Sequence, residues 1–173
     1  MGYRSPEPIA SAHEIETFDC GQPALDEWLK RHARASHASG GARVFVTTLT
    51  EAPTRVIGYY ALAAAEIEPA GATERLLKGQ PRQRPVPVVL LARLAVGREH
   101  QRRRVGGSLL RDAMLRVLHA SDAIGIRALV VHATDRRARA WYEQFGFEPA
   151  PTDPLHLILL LKDLRHFFAS GNE

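Results

Sequence analysis

The sequence predicts a single α/β domain spanning residues 1–173. Three observations lead there. Two stretches, Val86–Val96 and Ile126–Ala133, are apolar at consecutive positions and read as strands buried on both faces. An amphipathic helix lies between them, its apolar stripe formed by Val105, Leu109, Ala113 and Val117 with Leu110, Met114 and Leu118 alongside. Ahead of both, two extended runs read as a hairpin, and the length suits one substantial core.

The elements follow in order. Pro23 suits a first helical position, and Leu25, Trp28, Leu29 and Ala33 recur at helical spacing until Gly40-Gly41 ends the segment. The hairpin runs are Arg43–Leu49 and Val56–Ala65, joined through Glu51-Ala52-Pro53. Pro69–Pro87 holds many turn formers and reads as a long connection with one short helix around Thr73–Leu77. The strand Val86–Val96 is followed by the basic stretch Gly97–Arg104 and by the helix, which runs to about Ala120. After Ile126–Ala133, Asp135 can cap a helix through Glu143 that Phe145-Gly146-Phe147 stops. Leu155–Leu161 is a last apolar strand, and Asp163–Phe168 a short closing helix.

Hydrophobic residues at 45% and charged residues at 24% place the chain among ordinary globular proteins. No apolar run approaches the ~20 residues of a membrane span, and the start, MGYRSPEPIA, lacks the apolar core of a signal peptide. The expected location is the cytoplasm. Cys20, the only cysteine, excludes an internal disulfide and reads as a small buried residue rather than a nucleophile. The net charge of +4 and the pI near 9.6 favour acidic partners such as RNA, phosphates or an acidic protein. Apart from Lys30, Lys78 and Lys162, every basic residue is arginine.

A buried strand, a basic loop and a helix start together make an anion site, because free N–H groups and the helix dipole face whatever phosphate lies there. Gln101-Arg102-Arg103-Arg104-Val105-Gly106-Gly107-Ser108 occupies that junction. It is neither a P-loop nor a GxGxxG turn. Further on, Ala138-Arg139-Ala140-Trp141-Tyr142-Glu143-Gln144 leads into Phe145-Gly146-Phe147. With one helix and one strand between them, these two segments resemble the GNAT acetyltransferases. The fold implied is the GNAT fold, a mixed, mostly antiparallel central sheet flanked by helices. The cofactor implied is acetyl-coenzyme A, its pyrophosphate cradled by a [QR]xxGx[GA] motif matching Gln101 to Ser108. Arg104 then stands where the first glycine usually lies, at little cost if its φ is negative. A reading from Arg103 puts Gly106 first instead; the register from Gln101 is preferred because Val105 and Leu109-Leu110 then fall where the helix packs.

The resemblance also implies that Leu94, Ala95 and Val96 pair with the pantetheine arm and that Tyr142 is the general acid. Acetyl transfer needs an amine in line with the thioester, stabilisation of the developing oxyanion and a proton for the departing thiolate. No compelling general base is visible. Glu66, at a strand end, reads as a solvated carboxylate. An α-amine near pKa 7.7–8.0 needs little help from a base, whereas a lysine near 10.4 does.

Three further segments sharpen the likeness: Phe18-Asp19-Cys20-Gly21-Gln22-Pro23-Ala24-Leu25-Asp26-Glu27-Trp28-Leu29, Gly58-Tyr59-Tyr60-Ala61-Leu62-Ala63 and Leu91-Ala92-Arg93-Leu94-Ala95-Val96. They look like the GNAT toxins of type II toxin–antitoxin modules, over about Ile15 to Leu164. That family implies acetylation of the α-amine on charged tRNA, a block on translation, and a ribbon-helix-helix antitoxin through which alone the protein meets operator DNA. It also implies a homodimer and no membrane attachment. Arg93, Arg136, Arg137 and Arg139 are the candidate substrate-binding residues, with Arg31, His32, Arg34 and His37 as a further basic cluster on the first helix. Cations at a helix start oppose its dipole, so a phosphate partner would account for the arginines after Asp135. Two alternatives stay open at this point: a GNAT enzyme acting on a small amine or a protein N-terminus, and a coenzyme A-binding module without catalysis. Direct DNA binding has no helix-turn-helix or zinc spacing behind it.

Overall fold

The apolar stretches become strands and the amphipathic ones helices, as the computed structural model of residues 2–170 shows. The ends of the expected domain, residues 1 and 171–173, lie outside the described residues. In chain order the elements are β1 (Glu7–Pro8), α1 (Pro23–Arg31), α2 (Ala33–Ser39), β2 (Arg43–Leu49), β3 (Ala52–Ile67), α3 (Glu74–Leu77), β4 (Val86–Val96), α4 (Val105–Ser121), β5 (Ala128–His132), α5 (Arg136–Glu143), β6 (Glu148–Pro149), β7 (His156–Leu160) and α6 (Leu161–Ala169). The strand order is β1-β2-β3-β4-β5-β7-β6, with β4 and β5 parallel and the pairs β1–β2, β2–β3, β5–β7 and β6–β7 antiparallel. The α/β fold with a mixed, mostly antiparallel sheet is therefore as expected. No helix of the described residues is long and apolar enough to cross a membrane.

The chain forms two compact units. Residues 1–63 and 92–113 make the first, whose core gathers Leu29 and Ala33 from the helices, Val44, Val46, Tyr59 and Ala61 from the hairpin, and Ala95 from β4. Leu29 is fully enclosed, so Leu29→Ala falls in the range of about 2–5 kcal/mol for emptying a core site. Tyr59, also fully enclosed, donates its hydroxyl to the Leu25 carbonyl at 2.7 Å, and its ring stacks on Trp28 while Phe18 meets it edge-on. Gly58 allows close packing there: a Cβ would stand 3.1 Å from both Leu109 Cδ1 and Thr47 Cγ2.

The second unit, residues 64–91 and 114–173, is built on β5–β7, where Ala128, Val130, Ile158 and Leu160 pack with Leu76, Val86 and Val88. Thr73 caps α3 by accepting from Leu76 N at 3.2 Å. Asp135 caps α5 by accepting from Ala138 N at 2.8 Å, a contact worth about 1 kcal/mol. Gly146, at φ +96°, takes the chain out of α5 into β6.

Several boundaries differ from expectation. The first helix divides at His32 (φ −122°, ψ −24°) into α1 and α2. The divided arrangement is tied down by Arg34, which donates to the His13 carbonyl, and by His37 Nδ1, which accepts from Val44 N at 3.0 Å. The hairpin turn is tighter than Glu51-Ala52-Pro53, since β3 already begins at Ala52, next to register shifts at Thr47/Thr48 and Thr48/Leu49. The strands β1 and β6, two residues each, carry no alternation that a sequence pattern can register.

Candidate active site

The basic loop belongs to the first unit. Strand β4 ends at Val96, a short 3-10 turn covers Arg98–His100, and the exposed run Gln101–Arg104 leads into α4. The loop is held from behind by the segment before α1. Gly97 N donates to Ile57 O and Arg98 N to Asp19 O, both at 2.8 Å, while Arg98 Nε meets the Asp19 carboxylate at 3.1 Å. Gln101 Nε2 donates to the carbonyls of both Cys20 and Val96, 2.8 Å each. Asp26 fixes the other side of that segment by accepting from Cys20 N at 2.9 Å. Gln101 thus spends its side chain on the loop's own foundation, and the Val96 carbonyl is already engaged by it. Sequence reasoning missed this bracing; its signal was the Phe18–Leu29 segment, noted only as a family likeness.

Arg104 has φ +65° and Arg102 φ +63°, against the negative value under which Arg104 would cost little. For residues bearing a Cβ this conformation costs roughly 1–2 kcal/mol each. It is the conformation glycine adopts freely, which explains why a glycine would suit position 104. Left-handed residues alternating with a residue of negative φ turn successive N–H groups toward one side, an arrangement that binds anions.

The first hydrogen bond of α4 runs from Ser108 N to Arg104 O at 3.1 Å, and the N–H groups of Val105, Gly106 and Gly107 have no acceptor among the described residues. Beside these free donors, Arg102, Arg103 and Arg104 are exposed and form no ion pair among the described residues. The donor set fits a pyrophosphate. Val105 is buried with Leu109 and Leu110, and Ser108 is exposed at the end of the first turn.

In β4, Ala95 is buried while Leu94 and Val96 are half-buried. Arg93 lies with its guanidinium carbon 4.9 Å from the centre of the Trp28 ring, and its Nη1 donates to Ala92 O at 3.2 Å. Its Nε is enclosed without a hydrogen-bond partner. Trp28 in turn stacks on Tyr59, so the cation is borne by a rigid aromatic pair.

Tyr142 belongs to the second unit. It is 8% exposed on α5, edge-on to Trp141 and Phe147. Burial pushes its phenol up to about 12, and its hydroxyl has no hydrogen-bond partner among the described residues. Arg136 and Arg137 are exposed at the start of the helix, whereas Arg139 is half-buried and paired with Glu143 one turn on. Of the basic cluster expected on the first helix, Arg31 pairs with Glu27, and Arg34 and His37 serve the fold as described. Glu66 is exposed on β3. Cys20 is buried and its thiol is pushed up to about 11, chiefly by desolvation and then by Asp26.

Residues 40–149 match the family model described as the acetyltransferase (GNAT) domain. The tRNA-acetylating toxin of Mycobacterium tuberculosis (strain ATCC 25618 / H37Rv) is 48% identical over 164 residues, covering 95% of this chain and 96% of that protein. Among solved structures, a Tyr-to-Phe variant of KacT superposes with a TM-score of 0.89 at 29% identity, covering 97% of this chain and 100% of that one. AtaT complexed with acetyl-methionyl-tRNAfMet gives 0.87 at 28% identity, covering 96% and 99%. A Tyr-to-Phe variant of AtaT has also been solved with acetyl-CoA and the C-terminus of the antitoxin AtaR, at 26% identity, 97% and 99% coverage and a TM-score of 0.81. The strand, basic loop and helix start described above lie inside the matched region, and the chain belongs to the GNAT acetyltransferases, in the same family as the tRNA-acetylating toxin.

Proposed function

We propose that this chain is a toxin that transfers an acetyl group from acetyl-coenzyme A to the α-amine of aminoacyl-tRNA, and so stops translation. The observation that carries the transferase reading is the junction of β4 and α4, where Arg102, Arg103 and Arg104, in no ion pair among the described residues, directly precede the free amides of Val105, Gly106 and Gly107. Acetyl-coenzyme A supplies an activated thioester. Gly106, Gly107 and Ser108 with the Val105 amide would hold its pyrophosphate, helped by Arg102, Arg103 and Arg104, while Gln101 keeps the loop in shape. Leu94, Ala95 and Val96 would line its arm.

Tyr142 holds a proton on Oη across the physiological range, as a phenol does at its ordinary value near 10, and burial raises it further. The hydroxyl acts as general acid; since the shift sets it further above a thiol near 8.5, the transfer depends on the buried site destabilising the departing thiolate as well. Deprotonation of the acceptor falls to water: an α-amine is already partly neutral near pH 8. Arg93, steadied over Trp28, and Arg136, Arg137 and Arg139 at the start of α5 face the negative charge of the tRNA. Such contacts position an RNA without reading its sequence.

The acceptor follows from the relatives. The Mycobacterium protein is a tRNA-acetylating toxin, and AtaT is known with acetyl-methionyl-tRNAfMet. KacT and AtaT are also known in complexes with their antitoxins and DNA. We further propose that the chain acts as one domain in the cytoplasm, as a homodimer. A ribbon-helix-helix antitoxin neutralises it and carries it to operator DNA.

Labelled acetyl-coenzyme A, offered with a pool of charged tRNA, uncharged tRNA, free amino acids and a lysine peptide, tests this. Label is expected only on the aminoacyl group of charged tRNA. Label on the peptide or on free amines alone would discard the toxin reading and keep the transferase.

A further inference from the structure

Five cations, Arg75, Lys78, Arg127, Lys162 and Arg165, converge on a cavity of about 260 Å³ in the second unit, beside the apolar turn Leu160-Leu161. Among the described residues no carboxylate lines it, and only Arg75 is neutralised, by Glu148 and by Asp163 at 2.8 Å. Arg127 donates to the carbonyls of Leu76 (3.2 Å) and Lys78 (2.9 Å), yet its Nε is enclosed with no partner. Among the described residues Arg165 reaches only the neutral Ser121 hydroxyl, at 3.3 Å. Lys78 and Lys162 form no ion pair among the described residues, and they are two of the three lysines in an otherwise arginine-based chain.

Like charges gathered round a void raise each other's energy, and four of these five have no ion-pair partner among the described residues. An anion in the cavity lowers that energy. The donors arrive from three places: α3 and the residue after it, the residue before β5, and the start of α6. A planar carboxylate offers two oxygens in one plane and meets one guanidinium fork well. A tetrahedral phosphate offers oxygens in several directions, which suits donors converging from separate elements. Lys78, Lys162 and Arg165 are exposed, so a phosphate within a polymer backbone reaches them from outside.

The cavity is not part of the acetyl-transfer machinery. It lies at the start of β5, whereas α5 with Tyr142 follows the end of that strand. The five-residue strand puts its two ends about 16 Å apart, and none of the residues lining the cavity is a candidate for acetyl transfer.

We propose that this cavity is a second phosphate site, which takes a backbone phosphodiester of a nucleic acid. The site stands independently of which amine is acetylated.

The test uses the full chain saturated with coenzyme A, so that the Arg102–Arg104 loop is already filled. Inorganic phosphate is titrated against chloride at constant ionic strength while Tm is followed. A saturable rise is expected in the native protein and its loss in the double variant Lys78→Ala/Lys162→Ala, whose side chains make no hydrogen bond or ion pair among the described residues, with coenzyme A affinity unchanged. A fluorescent single-stranded RNA then separates the sources: its affinity is expected to fall about tenfold in the double variant, and phosphate is expected to compete with it. An equal phosphate response in both proteins would overturn the site. A phosphate response lost in the variant with RNA binding intact would overturn the nucleic-acid source and leave free phosphate as ligand. Failure of coenzyme A itself to bind would count against the transferase reading, and the phosphate titration would still report on the cavity.

Discussion

The side-chain amide of Gln101 lies 2.8 Å from the carbonyl oxygen of Cys20, joining residues 81 positions apart. The same nitrogen donates to Val96 O at the end of β4. One side chain thus ties the basic loop both to the strand it leaves and to the segment that precedes α1. Gln101→Ala removes both bonds, each worth about 1 kcal/mol. The Michaelis constant for acetyl-coenzyme A should rise several-fold while kcat on bound substrate changes little. Titration of the cofactor against the variant checks this; an unchanged constant would mean that the loop keeps its shape without the amide.

Arg104 separates backbone from charge. Arg104→Gly relieves the left-handed φ, and Arg104→Ala keeps it, while both remove the guanidinium. The glycine variant should therefore be the more stable of the two by about 1 kcal/mol. Chemical denaturation of the pair measures it. If the guanidinium contacts phosphate, both variants should bind acetyl-coenzyme A more weakly than the native protein.

Tyr142→Phe should lower kcat by about 10²–10⁴-fold, the usual worth of a positioned acid, and leave acetyl-coenzyme A affinity unchanged, because the hydroxyl acts only in the transition state. Equal loss of binding and turnover would remove Tyr142 from the acid's role. The phenol's upward shift to about 12 also has a sign for stability. Burial favours the protonated form in the folded chain, so that contribution is complete below pH 10 and is lost as pH rises from about 10 toward 12. Alkaline unfolding of the native protein should show this loss and the phenylalanine variant should not.

Arg136 and Arg137 are exposed and form no ion pair among the described residues. Replacing both by alanine should raise the Michaelis constant for charged tRNA and make it less sensitive to salt, with Tm slightly raised because cations at a helix start oppose its dipole. Each lost phosphate contact should flatten the salt slope by about one unit. Arg139→Ala should weaken α5 as well, since Arg139 pairs with Glu143.

Most of this was legible in the residue pattern where local rules decide. Strand β4 spans Val86–Val96 as the apolar run indicated, and Asp135 caps α5. The break at His32 was not legible, because contacts from Arg34 and His37 to distant backbone groups set it. Those two residues look like RNA ligands in sequence and are structural in the fold. The left-handed Arg104 was invisible for a similar reason: arginine does not announce a positive φ as glycine does. Gln101 was picked out through a motif, yet the residues it grips, Cys20 and Val96, lie far from it or behind it in the chain.

The buried Cys20 has a consequence for how long the protein lasts under stress. With its thiol pushed up to about 11 and Asp26 beside it, almost none is thiolate at neutral pH. The sulfur therefore reacts slowly with peroxide and with alkylating agents, and as the only cysteine it has no second thiol within the chain to couple with. A peroxide burst that inactivates thiol-dependent enzymes should spare this thiol.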